Sequence, residues 1–185
     1  MIPAAVLDAN VLFPMILRDT LLRVAAAGCY RAHWSQRILD EMARNLVAQH
    51  RVTTVQADRL ATDMRRAFPE AAVEGWEGLE AEMLNDPKDR HFAAAAKHIE
   101  AGVIVTANLK DFGRLPAEVR AISPDEFLTE CLAAEPAKVL VALRKQAAGY
   151  RHPPADLDTL LAWLEGDLPG FVPAVRRAII SAEKA

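Results

Sequence analysis

The sequence predicts an α/β fold: a short, central parallel sheet covered by helices on both faces, followed by a helical extension. Three observations predict it. Ala4-Ala5-Val6-Leu7 and Val103-Ile104-Val105-Thr106 are short apolar runs without polar alternation, as expected of strands buried on both faces. Stretches with apolar residues at helical spacing alternate with such runs, the pattern that builds a parallel sheet. Beyond Ala133 no strand signal remains, only helical stretches. Of the 185 residues, 52 % are apolar, enough for a sizeable core. We expect one domain over residues 1–132 and an extension over 133–185. The extension is small for an independent core and should pack on the first domain or on a partner.

Each element has a local reason. The first strand, Ala4 to Leu7, follows Pro3 and ends at Asp8. Asn10 to Leu17 reads as a helical turn broken near Pro14, and Asp19-Thr20 as the cap of a helix over Leu21–Ala27 that Gly28 stops. Tyr30 to Trp34 is a strand, and Ser35 caps a helix with Ile38, Leu39, Met42 and Leu46 on one face. Val55 to Phe68 is a further amphipathic helix ended before Pro69, and Val73 to Glu77 is a loop with a short strand. Asp86-Pro87 starts a helix that runs through the alanine-rich segment to Ala101, where Gly102 closes it. After the strand Val103–Thr106, Asn108 to Phe112 forms a short helix and Ala121-Ile122 an edge strand. Ser123-Pro124 opens the next helix. In the extension, Ala137–Ala148, Leu157–Leu164 and Val172–Ser181 are helical, with Pro153-Pro154 and Pro169-Gly170 between them.

Composition narrows the function. A formal charge of −3 argues against a broad basic coat but leaves room for local Lys and Arg that hold phosphates around an acidic centre. Cys29 and Cys131 have no metal-ligand spacing and read as reduced thiols of a cytoplasmic protein. Asp8 and Asn10 interrupt the N-terminal apolar run, and no segment approaches the ~18 apolar residues of a membrane span, so a soluble protein is expected. No Gly-x-Gly-x-x-Gly follows Leu7, which excludes dinucleotide binding.

The chemistry points to carboxylates. Asp8 follows the first strand, and Asp111 lies in the loop after the second. Asp89 sits at the start of the helix feeding that second strand, and Glu41 borders the apolar stripe of its own helix. Each has an ordinary role open to it, as turn, cap or solvated acid. For Asp86, capping its helix is the preferred role, and Asp40 faces solvent. Four converging carboxylates would repel, however, by about 4 kcal/mol for charges ~4 Å apart at an effective dielectric near 20. A divalent cation removes that penalty. Oxygen donors without His or Cys favour Mg²⁺ or Mn²⁺ over zinc. His91 and His98 share a helix face without forming a ligand pair and read as packing or surface residues, with contact to substrate the lesser alternative for His91.

Four motifs carry a resemblance. Val-Leu-Asp8-Ala-Asn10-Val-Leu, Ile-Leu-Asp-Glu41-Met-Ala-Arg44-Asn, Asn-Asp86-Pro-Lys-Asp89-Arg-His and Val-Thr106-Ala-Asn108-Leu-Lys-Asp111-Phe resemble, in order, those of the PIN-domain family, and most closely its bacterial VapC-type toxins. The resemblance implies a PIN-like three-layer α/β/α fold over residues 1 to about 130 and a Mg²⁺- or Mn²⁺-dependent endoribonuclease. It also implies a homodimer held inactive by a cognate antitoxin over the active site. Asp8, Glu41, Asp89 and Asp111 match the acidic quartet, as catalytic residues and metal ligands. Asn10, Thr106 and Asn108 match supporting polar positions, and Asp86 a second acid of the third motif. Lys88, Arg90, Lys110 and Arg114 flank the motifs as candidates for RNA phosphates. The rivals are a non-catalytic PIN-fold binding module and an aspartate-based phosphatase or receiver domain. A haloacid-dehalogenase-type phosphatase would need a second Asp where Asn10 stands.

Overall fold

The computed structural model describes residues 3–151 and 155–182. Among them the sheet has five strands: β1 (Ala4–Leu7), β2 (Arg31–Ser35), β3 (Ala72–Val73), β4 (Val103–Val105) and β5 (Arg120–Ile122). Their order is β3-β2-β1-β4-β5, and every neighbouring pair is parallel. Strands β1 and β4 are buried throughout, which is why both read as unbroken apolar runs. Val6 pairs with His33 on one side and Ile104 on the other. The chain moves outward from β1 to β3, then returns to the far side of β1 as β4. That reversal opens a crevice at the carboxyl ends of β1 and β4, the place where open α/β sheets bind ligands.

The chain's contacts divide it into two compact units. One comprises Pro3–Phe13 and Arg31–Ile122, holding the whole sheet. Its helices are α1 (Ala9–Leu12), α3 (Gln36–Ala48), α4 (Thr54–Ala67) and α5 (Arg90–His98). Ser35 caps α3 by accepting from the Ile38 amide at 3.3 Å, and Ile38, Leu39, Met42 and Leu46 are its buried stripe, as their spacing predicts. Thr53 and Gln56 form a capping box on α4. The helix expected from Asp86 to Ala101 is shorter and divided. Pro87–Asp89 is a 3-10 turn, and α5 follows and stops at His98. Glu100, at φ +53°, takes the left-handed position that ends it, a role expected of Gly102.

The other unit comprises Pro14–Tyr30 and the chain from Ser123 onward. It contains α2 (Met15–Ala26), α6 (Pro124–Ala134), α7 (Pro136–Gly149), α8 (Leu157–Leu164) and α9 (Phe171–Ala182). Pro153-Pro154, expected between helices, lies outside the described residues. Helix α2 begins at Met15, so Asp19 and Thr20 are internal to it rather than its cap. Their side chains bond elsewhere. Asp19 pairs with Arg23 at 2.8 Å, and the Thr20 hydroxyl lies 2.9 Å from the Ile16 carbonyl and 3.0 Å from Gln146 Oε1 on α7. Gln146 Nε2 also donates to the Ile16 carbonyl at 3.2 Å, so a buried amide ties α7 to α2. The start of α9 is held by α6: the Asp125 carboxylate accepts from the Gly170 amide at 3.0 Å and the Phe171 amide at 2.7 Å. A Cβ at Gly170 would stand 2.9 Å from Asp125 Oδ2. Cys29 and Cys131 are free and buried. Among the described residues no helix is long and apolar enough to cross a membrane.

Removing the amide bridge should loosen the helical unit. Gln146→Leu deletes the contacts to Thr20 and to the Ile16 carbonyl, which keep their bond to each other, and should lower stability by about 1 kcal/mol in urea titrations. Adding Thr20→Val should cost less than the same change made alone, because the two side chains share one interaction.

Candidate active site

The Asp8 carboxylate lies at the crevice because β1 ends there. Its backbone amide still belongs to the sheet, donating to the Val105 carbonyl at 3.0 Å. Its side chain, 4 % exposed, caps α1 by accepting from the Asn10 amide at 3.1 Å. Asp8 Oδ2 also accepts from Asn10 Nδ2 at 2.7 Å and from the Thr106 hydroxyl at 2.7 Å. The reverse side is closed too: Asn10 Oδ1 accepts from the Ala107 amide at 3.0 Å, and Thr106 Oγ1 from the Asn108 amide at 3.0 Å. The first and last motifs are thus stitched into one polar knot across the tips of β1 and β4.

The third motif reaches the fourth through backbone. Asp86 N donates to the Asp111 carbonyl at 3.2 Å, while the Asp86 side chain caps its 3-10 turn by accepting from Lys88 N at 3.1 Å. Asp111 is held by the Asn108 amide group and pairs with Lys88 Nζ at 3.2 Å. Glu41 is half-buried on α3, and its Oε2 lies 3.6 Å from His91 Nε2. Asp40 is exposed and bonds Gln36 instead, as its position on the helix predicts. Of the expected phosphate contacts, Lys110 and Arg114 are exposed, Lys88 is engaged with Asp111, and Arg90 Nε donates to the Asn85 carbonyl at 3.3 Å.

Charge in this crevice is unfavourable. Burial, opposed by the Thr106 and Asn10 hydrogen bonds, pushes Asp8 from 3.8 up to about 6. Burial, a hydrogen bond shared with Asp111 and the charge of Asp8 push Asp89 up to about 7. Burial likewise raises Glu41. For Asp8 the shift amounts to roughly 3 kcal/mol against folding once its carboxylate is charged.

Two residues whose importance the sequence does not signal stand beside the acids. His91 is 1 % exposed; its Nδ1–H donates to the Lys88 carbonyl at 3.0 Å, which leaves Nε2 as a bare acceptor facing Glu41. Burial lowers its pKa to about 4, so the ring is neutral and the approach to Glu41 is not an ion pair. Asn85, 4 % exposed, has neither its amide nitrogen nor its oxygen bonded to the protein. The only hint is local: both fall within the Asn85–His91 motif, just ahead of an apolar run that has to be buried.

The donor set fits a hard dication in chemistry. All candidate ligands are oxygens, Asp8 and Asp89 repel, and Asp89 Oδ2 is buried with no hydrogen-bond partner. In position the fit is incomplete. Among the described residues no three His, Cys, Asp or Glu side chains are grouped closely enough to hold an ion together. Instead, the Lys88 ammonium answers Asp111.

The PIN domain family matches residues 4–110, and a family described as VapC50 C-terminal domain matches residues 124–177. The chain is similar to "Putative ribonuclease VapC50" of Mycobacterium tuberculosis (strain ATCC 25618 / H37Rv). The two are 36 % identical over 106 residues, which is 56 % of this chain and 63 % of that relative. The chain therefore covers less than two thirds of the relative's length. No solved structure matches.

Linkage gives a test of the acids. Raised carboxylate pKa values destabilise the fold fully above about pH 7, and the penalty fades as pH falls towards 3.8. His91 works in the opposite sense, costing stability as pH falls from 6.5 towards about 4. His91 offsets only part of the carboxylate effect in metal-free protein, so the informative quantity is the difference made by a cation at fixed pH. Mn²⁺ should raise Tm over an EDTA control at about pH 8, and the gain should collapse by about pH 5, where protons hold Asp8 and Asp89.

Proposed function

This chain belongs to the PIN-domain family, and from that premise we propose that it is a divalent-metal-dependent endoribonuclease, the toxin of a VapBC-type pair. The observation that carries the reading is the polar knot around Asp8. A carboxylate 4 % exposed, raised to about 6 and repelling Asp89, whose own Oδ2 has no partner, is a costly arrangement that a cation would relieve. Asp8, Asp89 and Asp111 would ligate Mg²⁺ or Mn²⁺, with Glu41 as a ligand or water-orienting acid. Bound there, the ion would acidify a water and polarise the scissile phosphate.

The chain's own groups have defined tasks in this reading. Thr106 and Asn10 hold the Asp8 carboxylate in one orientation, and Asn108 does the same for Asp111. His91 lies between Trp76 and Glu41, and its Nε2 lone pair is placed to accept a hydrogen bond from a protonated Glu41 or from a water beside it. Lys110 and Arg114 are exposed and steer the RNA backbone, and Lys88 can exchange Asp111 for a phosphate when the cation enters. A cognate antitoxin over this crevice and a homodimer complete the proposal. The lack of any close group of three acids among the described residues favours a second reading, a PIN-fold module that binds RNA without cutting it.

The two readings separate in one assay. Wild type incubated with mixed RNA should cut it with Mg²⁺ or Mn²⁺ and not with EDTA, and Asp8→Asn should abolish cutting. Thr106→Val should retain the fold by circular dichroism but lose about 10–100-fold in activity or metal affinity, as expected when the partner of a ligand is removed. RNA binding without metal-dependent cutting would establish the binding module instead.

A further inference from the structure

Beside the acidic crevice lies a second concavity that the cleavage chemistry does not use. It is a cleft of about 420 Å³ within the sheet-bearing unit, between the first turns of α3, strand β3 and the segment after it. That volume lies in the range of small-ligand sites. Its floor is apolar and aromatic, from Trp34, Leu39, Val73 and Trp76, all buried. Its rim carries donors (Arg37, Arg65) and acceptors (Glu74, Glu77, Glu80). Arg37 Nη1 is already spent on the Glu80 carboxylate, at 2.9 and 3.1 Å, and Arg65 donates to Gln36 and Thr62. Glu74 and Glu77 are exposed. The Trp34 indole N–H is buried and donates to nothing in the protein.

The cleft adjoins the acids by direct contacts. Arg37 lies one helical turn before Glu41 on α3, and its charge acts on both Glu41 and His91. Trp76, on the floor, meets the His91 ring at 6.1 Å between centroids, and His91 Nε2 is 3.6 Å from Glu41. An occupant of the cleft is therefore one aromatic ring away from the acidic crevice. Its charge excludes a phosphate, since three glutamates line it and one of its two arginines is neutralised. What it suits is a flat, uncharged group with N–H donors at its edge.

Resting on the nuclease reading for the nature of the chain being cut, we propose that this cleft is a nucleobase subsite. It receives a base of single-stranded RNA next to the cleaved bond and prefers bases with an amino group (cytosine, adenine, guanine) over uracil. Unstacked bases recognised this way lie against aromatic or guanidinium surfaces and present their edges to polar side chains. A carboxylate accepting from an exocyclic amino group is the pairing that glutamate makes with cytosine. The site would set which bond is cut, leaving the acids to cut it.

The test uses nucleosides, which carry no phosphate, titrated into the EDTA-treated full chain while the indole N–H signals of Trp34 and Trp76 are followed by NMR. Cytidine, adenosine or guanosine should shift both signals and bind at least about tenfold more tightly than uridine, the discrimination of one good polar contact. Glu74→Gln with Glu77→Gln, two exposed changes, should remove that preference. Ala72→Trp, which fills the cleft from an exposed position on β3, should abolish binding, and Asp8→Asn should leave it intact. On RNA with metal, the double glutamine variant should show a flattened base preference beside the cut, losing rate next to cytosine, adenine and guanine but not next to uracil. Absence of any nucleoside effect, equal binding of uridine, or an unchanged cut pattern in the glutamine variant would overturn the proposal, even in an active nuclease. Nucleoside binding as described in a protein that cuts no RNA would sustain the subsite and defeat the nuclease reading. A peptide seated in the cleft, with nucleosides inert, would also overturn it.

Discussion

The constraint on which the rest depends is that a negative charge has been placed where the sheet leaves least water. Asp8 ends a strand flanked on both sides by others, so its carboxyl group cannot retreat to the surface as one on an edge strand could. Its lone pairs are instead taken up by Asn10 and Thr106, groups brought together only because β1 and β4 are neighbours. The knot serves the fold and the chemistry together. It fastens two strand tips, and it leaves a carboxylate whose ionisation burial opposes.

The other acids show how the protein lives with this. Asp111 is neutralised by Lys88 and clasped by Asn108, and Asp89 shares a hydrogen bond with it. The Lys88–Asp111 pair is largely solvent-exposed on the lysine side, at 67 % for that side chain, so it is a weak and exchangeable tie. In the proposed nuclease, a dication reaching Asp111 would have only this one ammonium to displace. The arrangement is held shut by its weakest partner, and His91 adds a neutral wall behind Glu41.

Much of this is legible in the sequence because buried parallel strands leave a simple signature. Ala4–Leu7 and Val103–Val105 are uninterrupted apolar runs, so residue order alone puts the acids that follow them at strand tips. The capping serines Ser35 and Ser123 are equally plain. Residue type alone does not identify a cap, however. Asp19-Thr20 has cap chemistry, yet Thr20 bonds back to Ile16 inside α2, a use that no local pattern separates from capping. Pro14, whose ring suggests a break, instead opens a helix. Neither the role of His91 nor the cleft can be read from residue order, because their character comes from burial and from side chains remote in sequence. Trp34 and Trp76 come to line one cleft only after β2 and β3 have paired.

One feature of the helical unit bears on how such chains diversify. Helix α9 owes its starting point to Asp125, a side chain on α6, and Gly170 is the residue that lets the two approach. A tail exchanged between homologous genes at the end of α6 would arrive without its anchor. An exchange placed between β5 and α6 would carry anchor and helix as one cassette, with Gln146 and Tyr150 aboard to meet Thr20, Ile16 and Asp19 of the resident α2.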